Sequence, residues 1–351
     1  MIKNTEIQDL PEDAIRQHID ARQSFIAFQQ AKERASAFRG GMIWKMVKSK
    51  DYLVRTTTKA AQTGLGPRSE QTEAIYQKFT QGKLQSEDTI RAMKASIDRH
   101  QRLNRALRVG RTPNIIIDIL AALESAGMTN HLTVVGTNAL YAYETAATAR
   151  IEEGILATRD FNLLWDNQKK LSLALHDGAL LQNNPLAEGM IGFLRRIDPS
   201  FVIHEDQKYT AVNKDGYEVD FIRRTGRGSE DDPIRFSDHV NDFWVVKARN
   251  ADWLLSAPKF KEMVIGTNGK MAYMHTVDPR AFALFKLWMA EQKDREYGKR
   301  LRDAAQAKVV VNLINERLPQ FSFDDIKIFP TSVNDLLKNL AGEKISDNTE
   351  L

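Results

Sequence analysis

Two short stretches carry side chains whose types and spacing could do chemistry. In "ATRDFNLLWD" (157–166) Asp160 precedes Asn162 by two residues, and in "YEVDFI" (217–222) Glu218 precedes Asp220 by two. Successive side chains of a strand point to opposite faces. One face of the first stretch therefore collects Phe161, Leu163 and Trp165 as a core, and the other collects Thr158, Asp160, Asn162 and Leu164. In the second, Glu218 and Asp220 share a face opposite Val219 and Phe221. A carboxylate in apolar company is costly unless it is paired or binds a metal. Two adjacent strands, each with an acid at its centre, can converge on one magnesium ion or a pair of them. Such ions take hard oxygen ligands and complete their shell with substrate phosphate oxygens. The plainer alternative pairs Asp160 and Asp220 with Arg159 or Arg223, which an ideal strand points the other way.

A third stretch adds a phosphate-sized feature. "HLTVVGT" (131–137) is a short β-branched run ending in glycine, and "NALYAYETAATAR" follows at helical period. A glycine at a strand's end lets backbone approach a ligand, and a helix start offers unpaired N–H groups. Gly136 and Thr137 are thus a candidate phosphate cradle, the alternative being an ordinary turn and helix cap.

The surrounding pattern must position these residues. The spacing predicts a helix over 12–38 that stops at Gly40-Gly41, a loop at "TGLGPRS" (63–69) and a second helical run near 70–80. Over 86–108 the residues Ile90, Met93, Ile97, Leu103 and Leu107 predict one apolar stripe. Arg99, Arg102, Arg105 and Arg108 recur every third residue there, either to bind phosphate or as solvated charge. A helix is expected over "NQKKLSLALHDGALL" (167–181), and hairpins around Lys214-Asp215-Gly216 and Asn268-Gly269. From Pro279 to about 318 the period is helical again, and the tail from 341 is polar and expected to fray.

Composition excludes several classes. The 351 residues include no cysteine, which removes disulfides, zinc–thiolate sites and thiol nucleophiles and agrees with a reducing cytoplasm. The apolar runs are too short to span a bilayer, so no membrane partner is expected. Residues 1–125 hold 21 Lys and Arg against 14 Asp and Glu, while the remainder holds 29 against 32. A polyanion would therefore lie across the front half. There is no P-loop, zinc helix of the His-Glu-x-x-His kind or Gly-x-Ser-x-Gly elbow, and the seven histidines are scattered singly.

Taken in order, "VVGTNALYAYE", "ATRDFNLLWD" and "YEVDF" resemble the nucleotidyltransferase superfamily of the DNA polymerase β type. The likeness runs from about Tyr52 to Leu318. It is nearest to a little-characterised bacterial branch with helical flanks, and more distantly resembles the AbiEii-type toxin nucleotidyltransferases. The resemblance implies an α+β fold. A polymerase β-like mixed-sheet core would occupy 126–278, between a basic helical region over 1–125 and a helical region over 279–340, with a tail at 341–351. It implies a reaction in which an acceptor hydroxyl takes a nucleoside monophosphate from an NTP with Mg2+ or Mn2+. The acceptor would be RNA, such as a tRNA end, or a protein, and the relatives suggest a toxin–antitoxin or defence setting.

The same resemblance assigns roles. Gly136 and Thr137 would hold the triphosphate. Asp160, Asn162 and Asp220 would be the catalytic, metal-binding positions, with Asp220 also accepting the acceptor's proton. Lys286, Arg295, Lys299 and Asp303 match a downstream pattern whose basic side chains meet the phosphates. An unbroken helix cannot put the three cations on one face, so a break near Gly298 or a bend is expected. Asn162 departs from the family, which has an acid there. Three accounts stand open: an inactivating Asp→Asn replacement, which is the expectation; a natural enzyme that borrows Glu218; or loss of catalysis with nucleotide binding kept. The rivals to an enzyme are accordingly a lapsed nucleotide-binding protein and a plain RNA-binding protein using residues 86–111.

Overall fold

The computed structural model describes residues 6–57, 61–166, 189–224, 233–237, 239 and 241–346. The helix expected over 167–181 lies outside the described residues, as do 347–351 of the tail. The chain divides into two units, of which one is Glu12–Val109 and the other is built from the residues before and after it. Strand β1 (Ile7–Asp9) belongs to the second unit.

The Glu12–Val109 unit joins helix α1 (Glu12–Ser36) to the long helix α2 (Glu70–Ala106) through three antiparallel strands, β2 (Gly41–Val47), β3 (Lys50–Thr56) and β4 (Gln62–Pro67). The strands are an addition to the helical flank expected from sequence, and the loop expected at 63–69 is largely strand. Two physical reasons hide them. The β2–β3 turn is made by Lys48 and Ser49, both at positive φ (47° and 65°), where glycine or asparagine would normally announce a hairpin. β4 carries Gly64 and Gly66, which accommodate a register shift opposite Leu53 and Val54. Helix α2 begins in a capping box in which the Ser69 hydroxyl accepts from the Thr72 amide and Thr72 Oγ1 from the Ser69 amide. The apolar stripe expected along α2 is not a core. Ile90, Met93, Ile97 and Leu107 are half-buried and Leu103 is exposed, whereas the buried residues of α2 are Thr72 and Asn104. The seam between α1 and α2 is partly polar: Gln17 Nε2 donates to Asn104 Oδ1 at 2.8 Å, and Ser24 Oγ lies 3.0 Å from His100 Nε2.

The larger unit continues with α3 (Asn114–Ser125), β5 (Leu132–Val135), a 3-10 turn (Thr137–Ala139), α4 (Leu140–Ala146), β6 (Ala149–Ile151), α5 (Glu153–Leu156) and β7 (Asp160–Trp165). After the undescribed segment come α6 (Gly189–Ile197), β8 (Val202–Ile203), β9 (Thr210–Val212), β10 (Glu218–Arg223), β11 (Ile234–Arg235) and β12 (Trp244–Lys247). Helix α7 (Ala251–Ser256), β13 (Lys259–Ile265), β14 (Met271–Val277), α8 (Pro279–Ala290), α9 (Tyr297–Arg317), a 3-10 turn (Phe323–Asp325) and α10 (Thr331–Ser346) complete it. Residues 341–346, expected to fray, are thus the last turns of a helix.

The strands form one mixed sheet in the order β11-β12-β10-β7-β5-β14-β13, with β9 on the edge of β10 beside β12 and β8 beyond β9. β10 is parallel to β7 and β12, β14 is parallel to β5, and β5 runs antiparallel to β7. Both expected hairpins are present as β9–β10 and β13–β14, turning through Gly216 and Gly269 at φ of 73° and 81°. The core-facing residues Phe161, Leu163, Val219 and Phe221 are at most 1% exposed, as strand alternation requires. Helix α4 is braced by the nearly buried Glu144, whose carboxylate takes two hydrogen bonds from Arg111, of 3.1 and 2.6 Å.

Candidate active site

A cleft of about 560 Å³ opens over the middle of the larger unit's sheet. Its floor is set by register. Asn162 on β7 stands between two partners, Val135 on β5 and Asp220 on β10, while Asp160 stands opposite Glu218. Asp160, Asn162 and Asp220 all line the cleft together with Gly136 and Thr137, so the three motifs singled out in the sequence meet at one place. The meeting follows from alternation: on both strands the large apolar side chains take the core face and leave the polar set on the other.

Gly136 makes the approach possible. Its φ of 73° and ψ of −161° lie where only glycine goes without strain. A Cβ there would also meet the Asn162 Nδ2 at 3.4 Å. The next residues form a 3-10 turn before α4 begins, rather than the direct helix start expected. Asn138 Nδ2 ties this turn to β7 by donating to the Asp160 carbonyl at 2.5 Å.

The two carboxylates are not neutralised by the described residues. Arg159 instead donates to the Asp215 carbonyl, Arg223 is wholly buried, and among the described residues no lysine or arginine pairs with Asp160 or Asp220. Asp220 Oδ1 accepts from the Thr210 hydroxyl at 2.6 Å. Burial nevertheless pushes the Asp220 pKa up to about 6, with the charges of Asp160 and Glu218 adding to the rise and the Thr210 hydrogen bond opposing it. Glu218 does not line the cleft. Among the described residues no three His, Cys, Asp or Glu gather as a metal site.

The cations come from above. Lys286, Arg295 and Lys299 line the cleft, and the helical region is broken, as their spacing demanded. The break spans 291–296, between α8 and α9, and Gly298 falls inside α9. Asp303 has a different place from the one expected. It is fully buried, off the cleft wall, and accepts from Lys286 Nζ and Arg295 Nε at 2.6 Å each. Burial lowers the Lys286 pKa, and Asp303 counters that fall. Lys299 is exposed and pairs with Glu296 at 3.3 Å.

Four contributors were not singled out from the sequence. Thr210 follows from the hairpin, since a turn centred on Asp215 puts residues 210 and 220 in register. Arg302 lines the cleft with its Nε unpartnered, and Gln306 Nε2 donates to Thr137 Oγ1 at 2.9 Å. With Lys299 they recur at spacings of three and four along α9, a stripe on one helical face. Arg249, on the far wall, carries no sequence signal.

A family model described as Nucleotidyltransferase matches residues 114–328 of the chain, more than half of its length. The chain belongs to that family. No curated protein and no solved structure matches it, and the narrower likeness to AbiEii-type toxins finds no support in these comparisons. The match begins at α3 and ends just before α10, so this nucleotidyltransferase carries its family's signature on the unit that holds the cleft. No described helix is long and apolar enough to cross a membrane.

Proposed function

We propose that this nucleotidyltransferase moves a nucleoside monophosphate from a nucleoside triphosphate to an acceptor hydroxyl, with Asp160 and Asp220 holding a divalent cation, Mg2+ or Mn2+. The observation that carries the reading is Asp220. It is a carboxylate whose pKa burial pushes up to about 6, beside a second carboxylate, with no lysine or arginine among the described residues paired to it. A carboxylate pair without a partner cation among the described residues fits a divalent metal. Two carboxylates and the Asn162 amide oxygen suit one magnesium, which commonly takes one or two carboxylates and fills its shell with phosphate and water. Such an ion, when bound, withdraws charge from the triphosphate and the leaving group.

The chain's own residues do the rest. The Gly136 backbone and the Thr137 hydroxyl hold the outer phosphates. Lys286, Arg295 and Lys299 offset their charge, and Asp303 aims the first two. Asp220 Oδ2, left open because Thr210 engages Oδ1, accepts the acceptor hydroxyl's proton. The hydroxyl oxygen bonds to the α-phosphorus as the bond to the bridging oxygen breaks, and pyrophosphate leaves. Positioning and preorganised charge supply the acceleration. The excess of basic residues over 1–125 supports an anionic acceptor, RNA or a tRNA end, ahead of a protein. The absence of cysteine supports a cytoplasmic setting. A toxin–antitoxin or defence role rests on the AbiEii-type likeness alone.

Asn162 favours a second reading, a lapsed transferase that still binds nucleotide, because an amide at the centre of the row removes one charge from the metal set. Glu218, which stands off the cleft wall, gives little support to a borrowed acid. The discriminating experiment follows label from α-32P nucleotides into total RNA and into the protein itself, for the chain and for Asn162→Asp. Transfer by either supports the enzyme. Nucleotide binding without transfer by either one supports the lapsed reading.

A further inference from the structure

We propose that the end of the cleft walled by Trp288 and Arg249 is a stacking subsite for the nucleobase of the incoming nucleoside triphosphate, reading the base by ring area and so favouring purines. This rests on the triphosphate reading of the same cleft.

The sheet order gives the cleft a direction. Gly136 follows β5, the carboxylates stand on β7 and β10, and Ala248 and Arg249 follow β12. Three strand spacings, about 14 Å, separate β5 from β12 across the sheet, and the β10–β12 register carries Arg249 further along the strands than Asp220. With the outer phosphates at Gly136 and the α-phosphate at the carboxylates, the nucleoside lies towards Arg249.

What waits there suits a flat aromatic ring. Trp288 is half-buried on the cleft wall, and its ring is braced edge-on by Trp253 at 5.3 Å and from the side by Phe285 at 5.5 Å. The Arg249 guanidinium lies 5.4 Å from the Trp288 ring centroid and is tethered to Asp294 at 3.2 Å. A planar cation over an indole marks a face on which a base can stack, or into which it can insert. The neighbouring wall is Leu254, Ala251 and Ile222, and the carboxylate at this end, Asp294, is paired with Arg249. Gln292 is the nearest amide, and its Nε2 is engaged by the Trp288 carbonyl at 2.8 Å. Recognition by area and not by edges is the outcome, so the larger purine ring binds better.

The test compares equilibrium binding of ATP, UTP and inorganic tripolyphosphate, each with Mg2+, to the full chain, Trp288→Leu and Arg249→Met. Arg249 is exposed, so the second variant probes the subsite without touching the core. The native chain should prefer ATP to UTP and both to tripolyphosphate. Each variant should lose about tenfold in ATP affinity while keeping its tripolyphosphate affinity. Equal binding of ATP and tripolyphosphate by the native chain overturns the subsite and leaves the transferase reading standing. So does ATP binding unchanged in both variants, including the case where only the KM for the acceptor rises, which would give the ring to the acceptor's terminal base. Failure of the native chain to bind any of the three overturns both readings together.

Discussion

The Gln306 amide nitrogen donates a 2.9 Å hydrogen bond to the Thr137 hydroxyl and another of 2.9 Å to the Ile155 carbonyl. A backbone carbonyl can only accept, so the end of the amide facing it is the NH2 group. Thr137 Oγ1 is therefore the acceptor in its own bond with Gln306, which leaves its proton for another acceptor, and the residue lines the cleft. The expected result is that Gln306→Glu, which can only accept, draws this proton inwards and raises the KM for nucleoside triphosphate about tenfold, one lost hydrogen bond to a charged group. The effect should be shared with Thr137→Val, so the double variant loses little more than either single one. Simple addition of the two losses would refute the coupling.

Asp220 ties stability to pH. Its folded pKa of about 6 exceeds the ordinary aspartate value of 3.8, so between those values the folded chain holds a proton that the unfolded chain has lost. The contribution of Asp220 is therefore least unfavourable below pH 4, becomes steadily more destabilising as pH rises through 6, and is constant above. Asp220→Asn removes this penalty. It should unfold at a higher temperature than the native chain at pH 7, with the gap closing towards pH 4, while transfer activity disappears. A variant less stable than the native chain at pH 7 would contradict this account.

Asn162→Asp places a third carboxylate in the row between Val135 and Asp220. Repulsion should lower the melting temperature of the metal-free protein, and added Mg2+ should restore it more steeply than in the native chain, since ligand binding stabilises by mass action. Thermal melts across a magnesium titration measure both. Equal magnesium responses in the two proteins would mean that position 162 takes no part in holding the ion.

Asp303 neutralises two cations from a buried position, and the two partners differ in what their loss leaves behind. Asp303→Ala strands Lys286 and Arg295 and should destabilise by about 3–5 kcal/mol. Lys286→Met leaves Asp303 with Arg295 and should cost less, about 1–2 kcal/mol, while still weakening nucleotide binding. Denaturant unfolding of both variants checks the order, and a costlier Lys286→Met would reverse the assignment.

Much of the candidate site was legible because its residues sit on strict period-two strands. Alternation alone put Asp160, Asn162 and Asp220 on one side, and the glycines at 216 and 269 marked hairpins because left-handed φ is cheap only for that residue. The β2–β3 hairpin was hidden for the converse reason, since Lys48 and Ser49 adopt left-handed φ without the residue types that advertise it. Leu103 and its neighbours show that helical spacing predicts a face, not what covers it. The place of Asp303 was hidden because sequence spacing cannot tell a side chain on the cleft from one a layer behind it. Arg249 and Trp288 meet from elements distant in the chain, which no periodicity can reveal.

The Asp303 carboxylate bridges a lysine on one helix and an arginine from the segment that leads into the next. The two ammonium and guanidinium heads are consequently harnessed to a common pivot, so that any tilt of either helix carries both charges at once. An arriving anion meets a rigid two-pronged fork with its tines already set, and a shape-matched guest should bind with a small entropy loss.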